Sequence, residues 1–75
     1  MFIAQMDSET KTWYAIGKRE DIAKTAILRK WNEEQKKLFD TGWIDEPCMH
    51  SNTNDLDEEY GIHVFEVKEG ECVVF

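Results

Sequence analysis

The chain has 75 residues, which limits it to one small domain, because a chain of this size buries only about 60–65% of the surface that its unfolded form exposes. Hydrophobic residues make up 41% of the sequence, charged residues make up 33%, and the net charge is −7. This balance is typical of a folded acidic domain rather than a disordered chain. No apolar run approaches the length of about 18 residues of a membrane span, and the first residues lack the pattern of a secretory signal. We therefore expect a single cytoplasmic domain, residues 1–75, with no membrane partner.

The charges are distributed unevenly along the chain. Residues 1–39 contain six acidic and eight basic residues, and residues 40–75 contain ten acidic residues and one basic residue. The two halves therefore carry +2 and −9, which together give the net charge of −7. Clustered like charge bears on partners and on solubility rather than on the fold.

The first half predicts a β-hairpin followed by a helix. Residues 2–6 and 12–16 are rich in aromatic and β-branched side chains and are separated by a polar turn, as expected for two paired strands. A helical pattern runs from about Arg19 to about Phe39. Its apolar side chains fall in one arc that we expect to face the core: Ala23, Ile27, Leu28, Trp31, Leu38 and Phe39.

The second half predicts an irregular segment and a second hairpin. Residues 43–60 contain Pro47 and an acid cluster and are expected to form a loop, with a short strand at about 48–51. Residues 62–67 and 72–75 are β-branched and aromatic, which predicts two more strands with Cys72 buried in the last one. The predicted fold is α+β, with a four-stranded antiparallel sheet in ββαββ order and one long helix packed on one face. The second sheet face is also apolar, so we expect residues 43–60 or a second copy of the chain to cover it.

Metal sites receive little support from the spacing of possible ligands. Cys48, His50, His63 and Cys72 are of the types that bind zinc, but on the predicted hairpin Cys72 lies about 13 Å from His63. Cys48 and His50 remain as a pair, which falls short of a zinc motif. A calcium loop starting at Asp55 lacks the glycine that its sharp turn requires. The sequence therefore assigns no metal and no cofactor.

Catalysis and nucleic-acid binding are disfavoured as well. The sequence has no glycine-rich phosphate loop and no nucleophile elbow, and nothing in it singles out a carboxylate with a raised pKa. The helix carries a basic stripe, but Glu33 and Glu34 interrupt it and the rest of the chain is strongly negative. Direct binding to a phosphate backbone is therefore not expected.

The acid-rich segment is the most informative feature for function. Our hypothesis is a non-enzymatic acidic module that binds a basic protein surface, such as an inhibitory or accessory protein of a mobile element (phage), with charge guiding its association. Two alternatives stay open: a homodimeric structural subunit whose acids serve solubility alone, and a small metal- or nucleotide-dependent enzyme. The expected partner-binding residues are Trp43, Asp45, Glu46, Asp55, Asp57, Glu58, Glu59 and Tyr60.

Overall fold

An antiparallel sheet and two helices make up the fold in the computed structural model, which describes residues 1–72. The strands pair in the order β2-β1-β3, so the first strand of the chain lies in the centre of the sheet. In chain order the elements are β1 (Phe2–Asp7), β2 (Thr12–Gly17), α1 (Glu20–Asp40), α2 (Thr53–Tyr60) and β3 (Ile62–Glu66).

The hairpin of β1 and β2 is closed by polar contacts at its turn. Asp7 lies opposite Thr12, whose hydroxyl donates a hydrogen bond of 2.9 Å to the Asp7 carboxylate. The backbone N–H of Ser8 donates to the carbonyl of Lys11 at 2.8 Å. The hairpin predicted from residues 2–6 and 12–16 is therefore confirmed, and its register is fixed by the turn.

The core lies between one face of the sheet and the two helices. Residues of α1 at a spacing of four reach it, as expected for an amphipathic helix. Leu56 is the residue through which α2 enters the core, and it is fully buried. The buried hydrophobic cluster consists of Ala4, Met6, Ala23, Ile27, Trp31, Leu56 and Ile62.

The mixed α+β class is confirmed, but the four-stranded sheet in ββαββ order is wrong. Residues 1–72 form a sheet of three strands, and α2 occupies part of the segment that was expected to be a loop. The helix forms there because the Asn52 side chain caps it, accepting a hydrogen bond of 2.9 Å from the N–H of Asp55. Asp55 also lies in the first turn, where the helix dipole favours negative charge.

Several local expectations also fail. Cys72 is exposed rather than buried in a strand, and residues 73–75 of the predicted last strand lie outside the described part of the chain. Residues 48–51 form no strand. Phe39 is 45% exposed rather than part of the core. A helix of 21 residues is about 31 Å long and a strand of six residues is about 20 Å long, so the last turns of α1 extend beyond the sheet.

The second face of the sheet is apolar and open to solvent in the part of the chain that is described. Ile3 lies between Ile16 and Phe65 on this face, and Ile16 is 60% exposed. Residues 43–60, one of the two covers expected for this face, lie against α1 instead; the other, a second copy of the chain, stays a prediction. Separately, none of the helices within residues 1–72 has the length and apolar character needed to cross a bilayer.

Candidate functional site

The connecting segment, residues 43–52, is attached to α1 through the peptide groups of two residues. The Trp31 indole N–H donates to the Cys48 carbonyl at 2.7 Å, and the Gln35 amide oxygen accepts from the Cys48 N–H at 3.2 Å. Asn32 donates to the His50 carbonyl at 2.8 Å and accepts from the His50 N–H at 2.9 Å. The side chains of α1 thus form hydrogen bonds with the backbone N–H and C=O groups of residues 48 and 50, as a paired strand would.

The side chains of Cys48, His50 and Glu59 converge beside this attachment. The His50 Nε2 atom lies 2.8 Å from the Glu59 Oε2 atom and 4.0 Å from the Cys48 Sγ atom. The three ligand atoms all lie within 4.8 Å of one another. The side chain of His50 is only 13% exposed, and its ring packs against Trp31 with 6.3 Å between the ring centroids, whereas Cys48 is exposed.

The arrangement of these three side chains differs from that of a nucleophilic triad. In a triad the nucleophile and the orienting carboxylate contact opposite nitrogens of the imidazole. One nitrogen then accepts the proton of the nucleophile, while the other donates a hydrogen bond to the carboxylate. Here the thiol of Cys48 and the carboxylate of Glu59 both approach the same atom, His50 Nε2. Convergence of a thiol, an imidazole and a carboxylate on one point is the geometry of a shared ligand instead.

An aromatic cluster lies next to the convergent side chains. The Trp31 ring packs between those of Trp13 and Tyr60, with centroid distances of 5.6 Å and 5.0 Å. The cluster lines a shallow cleft of about 220 Å³, which is smaller than the roughly 300 Å³ of ordinary small-molecule pockets. The pKa of Tyr60 is raised to about 12, because burial disfavours the phenolate and because the Glu59 carboxylate accepts its hydrogen bond and adds negative charge.

Six of the eight expected partner-binding residues are exposed, and one of these, Glu59, contacts His50. Trp43 is 80% exposed. The other four exposed acids, hereafter the acidic surface residues, lie on the connecting segment and on the outer side of α2: Asp45, Glu46, Asp55 and Glu58.

Three of the eight expected residues have partners inside the chain. Asp57 is half-buried, and its carboxylate accepts a hydrogen bond of 2.6 Å from the N–H of Ile62. Glu59 contacts His50, and Tyr60 packs on Trp31. These three residues therefore connect α2 to β3, to the connecting segment and to the core.

In the ion pairs of residues 1–72, the acids of the second half have no lysine or arginine partner. The pairs formed by lysine and arginine all join residues of the first half: Lys11 with Glu34, Arg19 with Asp21, and Lys30 with Glu33 and Glu34. Hydrogen bonds to Glu34 and Glu33 raise the pKa of Lys30. In the second half, Glu59 contacts His50. The acidic surface residues take part in none of the ion pairs of residues 1–72, so their charge stays unneutralised.

Sequence reasoning missed Glu59 as the third member of the convergent group and missed the attachment to α1. The signal for Glu59 was Leu56, which is buried. Residues three positions apart on a helix are neighbours, so Glu59 lies close to the side of α2 that faces the core. The signal for the attachment was weaker. Asn32 sits in the interior of α1, where asparagine is disfavoured unless its amide has a specific partner.

Comparisons of the chain with known protein families, with curated proteins and with solved structures found no match.

Proposed function

We propose that this chain is a non-enzymatic protein-binding module of the cytoplasm, and that its acidic surface residues bind a basic protein surface. The observation that carries the proposal is the absence of lysine or arginine partners for these four acids within residues 1–72. A cytoplasmic location agrees with the two free cysteines, because thiols stay reduced in that compartment.

Unpaired carboxylates on one half of a small protein produce a field that extends into the solvent. Such a field raises the rate of association with a positively charged partner and selects against negatively charged partners. The field is screened over about 8 Å at physiological ionic strength. Binding should therefore weaken as salt is added.

The acids are presented on anchored elements, which favours binding. Leu56 is fully buried and holds α2 against the core, while the hydrogen bonds of Asn32 hold the connecting segment on α1. A surface that is already ordered loses less conformational entropy on binding. Trp43 is 80% exposed next to Asp45 and Glu46 in the chain, and an exposed tryptophan of this kind is typical of interface hot spots.

The test compares two variants of equal charge. In the first variant the acidic surface residues Asp45, Glu46, Asp55 and Glu58 are replaced by lysine. In the control, four other exposed acids are replaced by lysine: Glu9, Glu20, Glu66 and Glu69. Each set of substitutions adds eight positive units, which changes the net charge from −7 to +1. Circular dichroism checks that both variants fold.

Proteins captured from an extract of the source cells at low salt are identified, and the affinity of the purified partner is then measured at low and high salt. We expect the acidic-surface variant to bind at least about 10-fold more weakly than the control, since several favourable charge contacts become repulsive. Equal affinities of the two variants would overturn the proposal. A salt-insensitive dimer that captures no partner would overturn it as well, in favour of pairing through the open sheet face.

A further inference from the structure

We infer that Cys48, His50 and Glu59 form a binding site for a transition-metal cation, with Zn²⁺ as the expected occupant. The three residues supply a thiolate, an imidazole and a carboxylate, which are the ligands that bind zinc in proteins. A thiolate disfavours Mg²⁺ and Ca²⁺, which prefer oxygen ligands. The site is independent of the proposed partner surface, because none of its ligands is an acidic surface residue.

The distances between the ligand atoms are close to those that a zinc ion requires. Bonds of about 2.0–2.3 Å at tetrahedral angles separate neighbouring ligand atoms by about 3.4–3.6 Å. The Nε2 atom of His50 now lies 2.8 Å from Glu59 and 4.0 Å from the Cys48 sulfur, and the whole set lies within 4.8 Å. Side-chain movements of roughly 1 Å therefore suffice to reach the coordination geometry. The ion would replace the contact between His50 and Glu59.

The backbone that carries the ligands is already held in place. The side chains of Cys48 and His50 approach each other to 4.0 Å, and four hydrogen bonds with side chains of α1 hold the backbone N–H and C=O groups of these two residues. Glu59 lies on α2, which Leu56 anchors in the core. Ligands supplied by fixed elements reduce the entropic cost of forming the site.

The charges of the site balance on metal binding. The Cys48 thiol releases its proton to solvent when it coordinates. The resulting thiolate and the Glu59 carboxylate carry two negative charges, which match the two positive charges of Zn²⁺, while His50 binds as the neutral imidazole. The surrounding negative half of the chain, with ten acids and one base in residues 40–75, favours the approach of a cation.

Three protein ligands leave a fourth tetrahedral position open. In zinc proteins such a position holds water or an incoming ligand, whereas sites with four protein ligands are closed. Cys48 and Glu59 are both exposed, so solvent reaches the site. The site therefore admits an exchangeable ligand from solution.

The chain contains a matched control for each ligand. Cys72 is the other cysteine, His63 is the other histidine, and Glu58 precedes Glu59 on α2; all three are exposed. His63 pairs with Gln5 across the sheet and lies between Ile62 and Val64, which pack in the core, so its side chain projects from the open face of the sheet. The substitutions Cys48→Ser, His50→Gln and Glu59→Gln can thus be compared with Cys72→Ser, His63→Gln and Glu58→Gln.

The experiment titrates the metal-free, reduced protein with Co²⁺ as the spectroscopic probe, and then displaces Co²⁺ with Zn²⁺. We expect one Co²⁺ per chain, with a thiolate-to-cobalt charge-transfer band and the visible bands of tetrahedral cobalt. Loss of a residue that hydrogen-bonds to a metal ligand weakens metal binding by roughly 10–100-fold. Each substitution of a ligand itself should weaken Co²⁺ binding by more than that. The control substitutions should leave the affinity within a factor of two to three.

Two further readouts keep the outcome decisive. Zn²⁺ in excess should raise the thermal midpoint of the wild-type protein and of Cys72→Ser but not that of Cys48→Ser. Glu59→Gln retains a hydrogen-bonding partner for His50, so it tests the ligand role even if Cys48→Ser folds poorly.

A spectrum without the thiolate band, or the same cobalt affinity in Cys48→Ser and Cys72→Ser, would overturn the site. Loss of partner binding in the acidic-surface variant would not, because that variant keeps all three ligands.

Discussion

Asn32 binds the backbone of His50 through both ends of its carboxamide group. The Nδ2 atom donates to the His50 carbonyl at 2.8 Å, and the Oδ1 atom accepts from the His50 N–H at 2.9 Å. One side chain of α1 thus takes the place of a paired strand for a segment that pairs with none of the strands of residues 1–72. The connecting segment owes its position on α1 to this pair together with the contacts of Cys48.

Replacement of Asn32 by alanine should therefore loosen the connecting segment. The N–H and carbonyl of His50 lose their partners in a half-buried place, and we expect a cost of about 1–3 kcal/mol in the free energy of unfolding. Urea denaturation measures the cost, and hydrogen exchange at the His50 amide reports the local opening. Asn54→Ala is the control, because Asn54 is exposed on α2. Equal midpoints for the two variants would contradict the role of Asn32.

The tryptophans at positions 31 and 43 should differ sharply in their effect on stability. Trp31 is 5% exposed and Trp43 is 80% exposed. Truncation of a buried tryptophan costs about 3–5 kcal/mol, against about 5 kcal/mol for the whole stability of a small domain. Trp31→Ala should thus be largely unfolded by circular dichroism, whereas Trp43→Ala should stay within about 0.5 kcal/mol of the wild type. A folded Trp31→Ala would mean that α1 packs with another side toward the sheet.

Local patterns predicted the first hairpin and α1 because both are encoded by nearby residues. The aromatic and β-branched side chains of residues 2–6 and 12–16 predicted the two strands, and the spacing of Ala23, Ile27 and Trp31 identified the buried face of the helix. The helix α2 was not predicted because it is short and mostly polar, with Leu56 as its one buried residue. Its cap at Asn52 was the usable signal. The acids that follow were interpreted as a loop instead.

The candidate site was harder to predict than the fold because its parts come from distant positions. Cys48 and His50 were recognised as a pair, but Glu59 joins them only once α2 exists. Pairing of β3 with the first strand was also not predictable, since the partner of a strand depends on how the chain returns after the helices. Groupings of residues that are close in the sequence could therefore be predicted, whereas contacts between distant segments could not.

The N-cap of α2 offers a separate test of the fold. The Asn52 side chain accepts a hydrogen bond of 2.9 Å from the N–H of Asp55, and its removal in Asn52→Ala should cost about 0.5–2 kcal/mol. Asn52→Asp keeps an acceptor at the same position and should recover most of the loss. The urea midpoints of the three proteins make the comparison. An Asn52→Ala variant as stable as the wild type would indicate that residues 53–60 do not form a helix in solution.

The phenol of Tyr60 should make stability depend on pH in the alkaline range. Its pKa is raised to about 12 in the folded protein, first by burial and then by the Glu59 carboxylate, whereas an unfolded tyrosine titrates at about 10. The folded state holds the proton more tightly, so this stabilisation is complete below pH of about 10 and is lost as the pH rises through about 12.

Subtraction of a Tyr60→Phe variant isolates this group from the lysines and from Tyr14. In the presence of a chelator, the difference between the two tyrosinate absorbance titrations should have its midpoint near pH 12. Between pH of about 10 and 12 the urea midpoint of the wild type should fall more steeply than that of Tyr60→Phe, since only the wild type loses a proton from this position on unfolding. A midpoint near 10 would instead place the phenol in water, away from Trp31 and the Glu59 carboxylate.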